Sequence, residues 1–301
     1  MTQLRQRMVE DMQVRNYSPR TIQCYTYHVG RFAQYFDRSP DQLGPEEVRS
    51  YQVHLVRDRK VSWSSFNQTV CALRFLYRYT VRRSWHVDMI PFGKKPKTLP
   101  TVLAGEEVQK LLACVKNEKY RTLLATLYAA GLRLQEARFL ELRDIDSARM
   151  TLLVARGKGN KQRLVPLSPR LLETLRTYWK QYRPATWLFP GRTGERPVCP
   201  TVIQKACKPA AHAAGLNKPI TPHTLRHSYA TGLLEAGVDL LTIGQLLGHR
   251  SFSSTLIYLH VRRPHLISTP SPLDWLPVQQ CPQWTRPPEA TTKQVPDADR
   301  G

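Results

Sequence analysis

Four stretches of this sequence carry side chains that local structure does not ask for. In "AAGLRLQEARFLELRDID", Arg133 follows Gly131 at the head of an amphipathic helix, and Glu136 stands one turn later. In "GKGNKQR", Lys158 lies between two glycines that allow the backbone to approach a ligand closely. In "TPHTLRHSYATGLLEAGV", Thr221 caps a helix opened by Pro222. His223 and Arg226 on that helix are three residues apart, so they share a face near its positive end. In "DLLTIGQLLGHR", Gly248 closes a helix and presents His249, and nine residues later comes Tyr258.

Singly, each has an ordinary reading. An arginine beside a glutamate is a surface pair, a lysine in a glycine turn is solvated, and one tyrosine among 13 fills a core. His223 and His227, four apart, resemble half a zinc site, but the pattern is not H-E-x-x-H and no third ligand is evident. Together the residues make a kit for phosphoryl transfer. Two arginines can hold the nonbridging oxygens of one phosphate. Two histidines can donate or shuttle protons near neutral pH. A lysine on a turn can protonate a leaving oxygen, and a tyrosine can attack phosphorus to form a covalent intermediate. Its hydroxyl, with an ordinary pKa of about 10, needs a base or nearby positive charge. No magnesium-binding carboxylate cluster or G-x-x-x-x-G-K-[ST] loop is evident, so the chemistry calls for no metal, ATP or other cofactor.

The elements that must position this kit are mostly helical. Residues 1–88 read as a bundle of four helices. Ser18 and Pro19 open "SPRTIQCYTYHVGRFAQYF", whose Ile22, Tyr25, Val29, Phe32 and Phe36 recur at helical spacing. A helix restarts at "GPEEVRSYQVHLV", and "SWSSFNQTVCALRFLYRYTV" carries a stripe of Phe66, Val70, Leu73 and Tyr77. Arg20, Arg31, Arg57, Arg59, Lys60, Arg74, Arg78, Arg82 and Arg83 are expected on the polar faces. Residues 89–102, around "IPFGKKPKTLPTV", read as an exposed basic linker. A mixed α+β domain follows over 103–263, with "MTLLVARGKGNKQRLVPLS" as a β-hairpin. The proline-rich 264–301 reads as an extended or disordered tail.

The formal net charge of +22, from 45 basic and 23 acidic side chains, calls for a polyanionic partner, nucleic acid before an anionic membrane surface. No apolar run reaches the length of a membrane span, and the start lacks a signal-peptide core. A soluble intracellular protein is the expectation. The six cysteines (24, 71, 114, 199, 207 and 281) contain no C-x-x-C and are expected to be reduced and mostly buried.

The stretches "GLRLQEARFLELRDID", "GKGNKQRLVPL", "TPHTLRHSYATGLLEAGVDLLTIGQLLGH" and "STLIYLHV" resemble, in order, the signature blocks of the tyrosine recombinase (phage integrase) family. The resemblance implies a catalytic domain over about 103–262 and a core-binding, SAM-like helical domain before it. It implies that Arg133 and Arg226 clamp the phosphate and that Glu136 supports Arg133. His223 would accept a proton or hydrogen-bond, and His249 would bond the phosphate. Lys158 would be the general acid for the departing 5′ oxygen, and Tyr258 the nucleophile that forms a 3′-phosphotyrosyl link. It implies strand exchange on double-stranded DNA through a Holliday junction, by a tetramer on two duplexes with the two basic domains clamping the DNA. The setting would be integration, excision, resolution or transposition of mobile DNA, in the cytoplasm and at the nucleoid. No arm-binding domain and no integron-type insertion is evident, which places the chain beside compact Xer-like or transposon-borne members. Ala137 replaces a larger aliphatic residue common in the family. Pro264, Pro270, Pro272 and Pro277 interrupt the region where family members carry a docking helix, leaving a segment such as "SPLDWLP" for docking in trans. Two other outcomes stay open on the residues alone: a relaxing topoisomerase with the same chemistry, and a DNA-binding protein that does not cleave.

Overall fold

A computed structural model describes residues 2–83, 88, 90–94, 96, 99–155, 162–249, 251 and 253–259. Lys158, His260 and the proline-rich tail, each named above, lie outside the described residues. The chain forms two compact units, Met1–Thr98 and Leu99–Gly301. The fold is mainly α, with one small antiparallel sheet in the second unit.

The first unit contains α1 (Gln3–Val14), α2 (Pro19–Phe36), α3 (Pro45–Arg57) and α4 (Trp63–Phe75), with a π-helical turn at Leu76–Thr80 continuing α4. Local chemistry sets the helix starts. Ser18 Oγ accepts from the Thr21 N–H at 3.2 Å, with Pro19 in the first turn. At α3 the Glu47 carboxylate accepts from the Gly44 N–H at 2.9 Å. The expected stripes face inward: Val29, Phe32, Phe66, Val70, Leu73 and Tyr77 are buried in one cluster with Met8 and Met12. Arg78 is exposed and Arg74 partly so; both pair with Asp88, and Arg74 Nε also donates to the Ile90 carbonyl at 3.1 Å. One expectation needs correction here. The stretch expected as an exposed linker begins docked on its own unit. Ile90 is buried, Gln52 donates to the Pro91 carbonyl at 3.1 Å, and the Asn67 amide pairs with both backbone groups of Gly93. These short-range partners come from faces of α3 and α4 that composition alone does not reveal.

The second unit runs α5 (Gly105–Ala113), α6 (Glu118–Ala130), α7 (Leu134–Arg138), β1 (Ile145–Asp146), β2 (Thr151–Val154), β3 (Arg163–Pro166), α8 (Pro169–Tyr182), α9 (Pro200–Ala213), α10 (Pro222–Glu235), α11 (Leu240–Leu247) and α12 (Ser253–Leu256). β2 and β3 pair as the expected antiparallel hairpin, with Leu152 opposite Val165 and Val154 opposite Arg163. The two-residue β1 adds an edge that the sequence reading did not foresee. Opposed residues point to the same side of a sheet, so buried Val154 and Val165 turn Arg163 inward as well. α10 is buried over most of its surface, through Thr224, Leu225, Arg226, Ser228, Ala230, Thr231 and Leu234, and serves as the central strut. Among the described cysteines, all free, only Cys207 is buried, so the expectation of mostly buried thiols does not hold. No helix among the described residues is long and apolar enough to cross a membrane.

Gly131 ends α6 in a left-handed conformation at φ +60°, and a Cβ there would stand 2.4 Å from the Tyr229 ring. Gly131→Ala should therefore destabilise the protein by about 2–4 kcal/mol, adding left-handed strain to overpacking. The check is thermal unfolding of the full chain, where a drop of several degrees is expected.

Candidate active site

The expected residues arrive from separate elements. Arg133 caps the start of α7, where its own N–H donates to Glu136 Oε2 at 2.9 Å. His223 and Arg226 lie in the first turns of α10. His249 follows the left-handed Gly248 that ends α11, and Tyr258 lies in a turn just after α12.

Glu136 is the hub. It is 3% exposed, and its carboxylate accepts from Arg133 Nη1 at 2.7 Å and from Arg163 Nη1 and Nη2 at 3.0 and 2.7 Å. Arg226 Nη1 stands 3.8 Å from the same carboxylate. Burial by itself pushes the Glu136 carboxyl up, but hydrogen bonds from Arg163 and from the Arg133 backbone and side chain outweigh it, leaving the group below its ordinary value. Three guanidiniums around one carboxylate leave an excess of positive charge, suited to an anion. Further guanidinium donors are held on backbone oxygens. Arg226 Nη1 and Nη2 each donate at 2.6 Å, to the Gly131 and Leu247 carbonyls. Arg133 Nη2 donates to the Gly248 carbonyl at 3.1 Å. Arg163 Nε donates to the Leu246 carbonyl at 2.8 Å. The carbonyls of Gly131, Leu246 and Leu247 close the C-terminal ends of α6 and α11, where the helix dipole favours a cation.

That positive field also acts on the histidines. Burial first, then Arg226 and Arg133, lower His223 and hold His249 down to about 4. Burial, His223 and Arg226 hold His227 down to about 4. The free site therefore keeps neutral imidazoles. Arg226, pushed down to about 10 by burial and by Arg133, retains its charge at neutral pH. His249 Nδ1 lies 2.8 Å from Thr255 Oγ1, which ties the end of α11 to α12.

Tyr258 is 1% exposed, with its ring in a small apolar cluster of Ala230, Leu234, Ile243 and Leu247. Its hydroxyl lies 3.1 Å from His227 Nδ1. Burial raises the phenol above its ordinary value, while Arg226 and Arg133 pull it down. Arg226 is 2% exposed, whereas the Arg133 side chain is 23% exposed. Arg133 is thus the more accessible of the two arginines.

Sequence reasoning missed two members of this group. Arg163 was quoted within the hairpin but given no role. The signal was strand alternation, since Arg163 stands two residues before the inward Val165. His227 was weighed only as half a zinc site; its partner is Tyr258, and among the described residues no group of three or more His, Cys, Asp or Glu could hold a metal ion. His227 carried no local signal, because only packing of the chain around Tyr258 brings the two together.

Because Glu136 titrates lower in the folded state, it contributes stability in full above its ordinary value of 4.5 and loses it as pH falls through its folded value. Glu136→Gln should cost about 3 kcal/mol at pH 7, leaving the buried guanidiniums without their counterion. The gap from wild type should shrink below pH 4.5, as chaotrope unfolding across pH would show.

The pattern described as "Phage integrase family" matches residues 101–265, and that of "Phage integrase, N-terminal SAM-like domain" matches residues 4–87. A putative integrase/recombinase, y4qK of Sinorhizobium fredii, is 47% identical over 278 residues, covering 92% of this chain and 90% of its own. Tyrosine recombinase XerC of Anoxybacillus flavithermus is 32% identical over 282 residues, covering 86% of this chain and 93% of its own. In fold, the chain is similar to a lambda integrase dimer bound to a COC′ core site (TM-score 0.70, 19% identity, 84% of this chain, 93% of that one). It is likewise similar to XerH recombinase bound to its palindromic difH substrate after cleavage (TM-score 0.69, 23% identity, 85% and 80%).

Proposed function

Because the chain belongs to the phage integrase family and is a tyrosine-type site-specific recombinase, we propose that it cleaves and rejoins double-stranded DNA through a 3′-phosphotyrosyl link at Tyr258. The observation that carries this reading is the convergence of Arg133, His223, Arg226 and His249 on the neighbourhood of one buried tyrosine, with Glu136 holding the arginines. Arg133 and Arg226 clamp the nonbridging oxygens and stabilise the charge that builds at phosphorus. His249 hydrogen-bonds the phosphate through the nitrogen not facing Thr255, and His223 hydrogen-bonds it or accepts a proton. Lys158 protonates the departing 5′ oxygen.

The Oη–P bond forms as the P–O5′ bond breaks, so the phosphoester linkage is retained in the protein. A 5′ hydroxyl from the partner strand then attacks the phosphotyrosine, releases Tyr258 and seals the exchanged strand. No metal ion or nucleotide is consumed. Exchange passes through a Holliday junction between two duplexes held by a tetramer, in integration, excision, resolution or transposition of mobile DNA at the nucleoid. Phosphate contacts supply much of the affinity, so binding weakens steeply with salt. The test is a duplex from the flanking genomic sequence, nicked beside the cleavage point so that the released fragment diffuses away. A protein–DNA adduct that survives denaturant and forms in EDTA is expected. Binding without an adduct would favour a DNA-binding protein that does not cleave.

A further inference from the structure

The resemblance gives His223 either proton acceptance or a hydrogen bond, but the structure puts a different histidine beside the Tyr258 hydroxyl. His227 Nδ1 lies 3.1 Å from the Tyr258 hydroxyl, with ring centroids 5.7 Å apart. His223 sits one turn earlier on α10, its ring 5.6 Å from that of His227, and among the described residues the histidine hydrogen-bonded to Tyr258 is His227. We propose that His227 is a catalytic residue, the general base that takes the phenolic proton from Tyr258 as it attacks phosphorus. This rests on the reading of Tyr258 as the nucleophile.

The geometry confines the proton. The Tyr258 ring is gripped by Ala230, Leu234, Ile243 and Leu247, and its N–H donates to the Thr255 carbonyl at 3.1 Å. The hydroxyl is thereby aimed at α10, where the Nε2–H tautomer of His227 offers it the Nδ1 lone pair. His227 follows Arg226 directly, so the base and one phosphate clamp share a rigid turn of helix. In the free protein burial, His223 and Arg226 keep the imidazole unprotonated, and thus an acceptor, at neutral pH. So weak a base does not ionise a resting phenol. It takes the proton in the transition state, when the forming Oη–P bond makes the hydroxyl strongly acidic and the phosphate's charge offsets that of Arg226.

In cleavage the Oη–H bond breaks and Nδ1–H forms, while Oη–P forms and P–O5′ breaks, the 5′ oxygen leaving with a proton from Lys158. In rejoining, His227 returns its proton to Tyr258 as the 5′ hydroxyl attacks. His223 is left to the phosphate.

The experiment is single-turnover cleavage of the nicked duplex by full-length wild type, His227→Ala and His227→Asn, with DNA binding measured alongside. Asparagine keeps a hydrogen-bond acceptor near Nδ1 but cannot carry the proton. Both variants should bind DNA as wild type does and cleave about 10²- to 10³-fold more slowly. Free imidazole should restore part of the His227→Ala rate, which a packing defect would not allow. On a substrate with a p-nitrophenyl 3′-phosphate, whose leaving group needs no proton, the His227→Ala defect should persist while that of Lys158→Ala disappears. Wild-type or faster cleavage by His227→Asn, or no imidazole rescue of a His227→Ala protein that binds DNA normally, would overturn the assignment. Wild type that binds DNA and forms no adduct would instead overturn the reading of Tyr258, and the base assignment with it.

Discussion

Tyr258→Phe is expected to form no covalent adduct with DNA while binding it as wild type does. The substitution removes one oxygen atom, the atom proposed to become the link. The ring remains, so the apolar cluster of Ala230, Leu234, Ile243 and Leu247 stays filled. The structural cost is the single contact to His227 Nδ1, worth about 1 kcal/mol. Fold and DNA affinity, proposed to rest on many phosphate contacts, should therefore survive, and the chemical step should fall to zero. Denaturing electrophoresis of the nicked-duplex reaction reads the adduct, and a gel shift reads binding. An adduct that persists in the phenylalanine variant would mean that another side chain attacks. Arg226 and Arg133 both favour the ionised form of Tyr258, against the effect of burial.

Arg226→Ala should slow cleavage by about 10³-fold or more, and Arg226→Lys by about 10²-fold, since each lost transition-state donor costs on that order. Arg226 does two jobs from one buried position. In the free protein its two terminal nitrogens bridge the Gly131 and Leu247 carbonyls and so join the ends of α6 and α11. In the proposed reaction the same guanidinium would face developing negative charge at the phosphate. Lysine keeps the charge but cannot bridge two carbonyls with a planar fork. Alanine leaves both buried carbonyls without a donor, at about 1–3 kcal/mol each. The lysine variant should thus stay folded and isolate the catalytic loss. Single-turnover rates measure that loss, and the salt dependence of binding should change by no more than about one phosphate contact. A lysine variant that cleaves at the wild-type rate would remove Arg226 from the clamp.

Much of the architecture was legible. Ser18 with Pro19, Gly44 with Pro45 and Thr221 with Pro222 mark helix starts because a cap and a preset φ are properties of adjacent residues. The hairpin was legible because strand alternation and a glycine turn are local, whereas β1 is two residues long and holds only by pairing with β2. The docking of residues 90–93 was not legible, since the proline and lysine content of the stretch 90–102 says nothing of Gln52 and Asn67 on α3 and α4.

What the sequence determined by itself is which chemical groups are present, in what order, and on which turn or helix end each stands: Arg133 at a helix head, Arg226 near the start of α10, His249 beyond the glycine that ends α11. Such placements follow from periodicity and capping, which act within one or two turns. Only the tertiary structure decided who meets whom. It joined Arg163 to Glu136 across 27 residues, His227 to Tyr258 across 31, and Arg226 to the Gly131 carbonyl across 95. It also buried Arg226 and Tyr258. These contacts are set by the packing of α7, β3, α10 and α11 against one another. Helical or strand spacing fixes the face a side chain occupies, while its partner depends on the distances between elements.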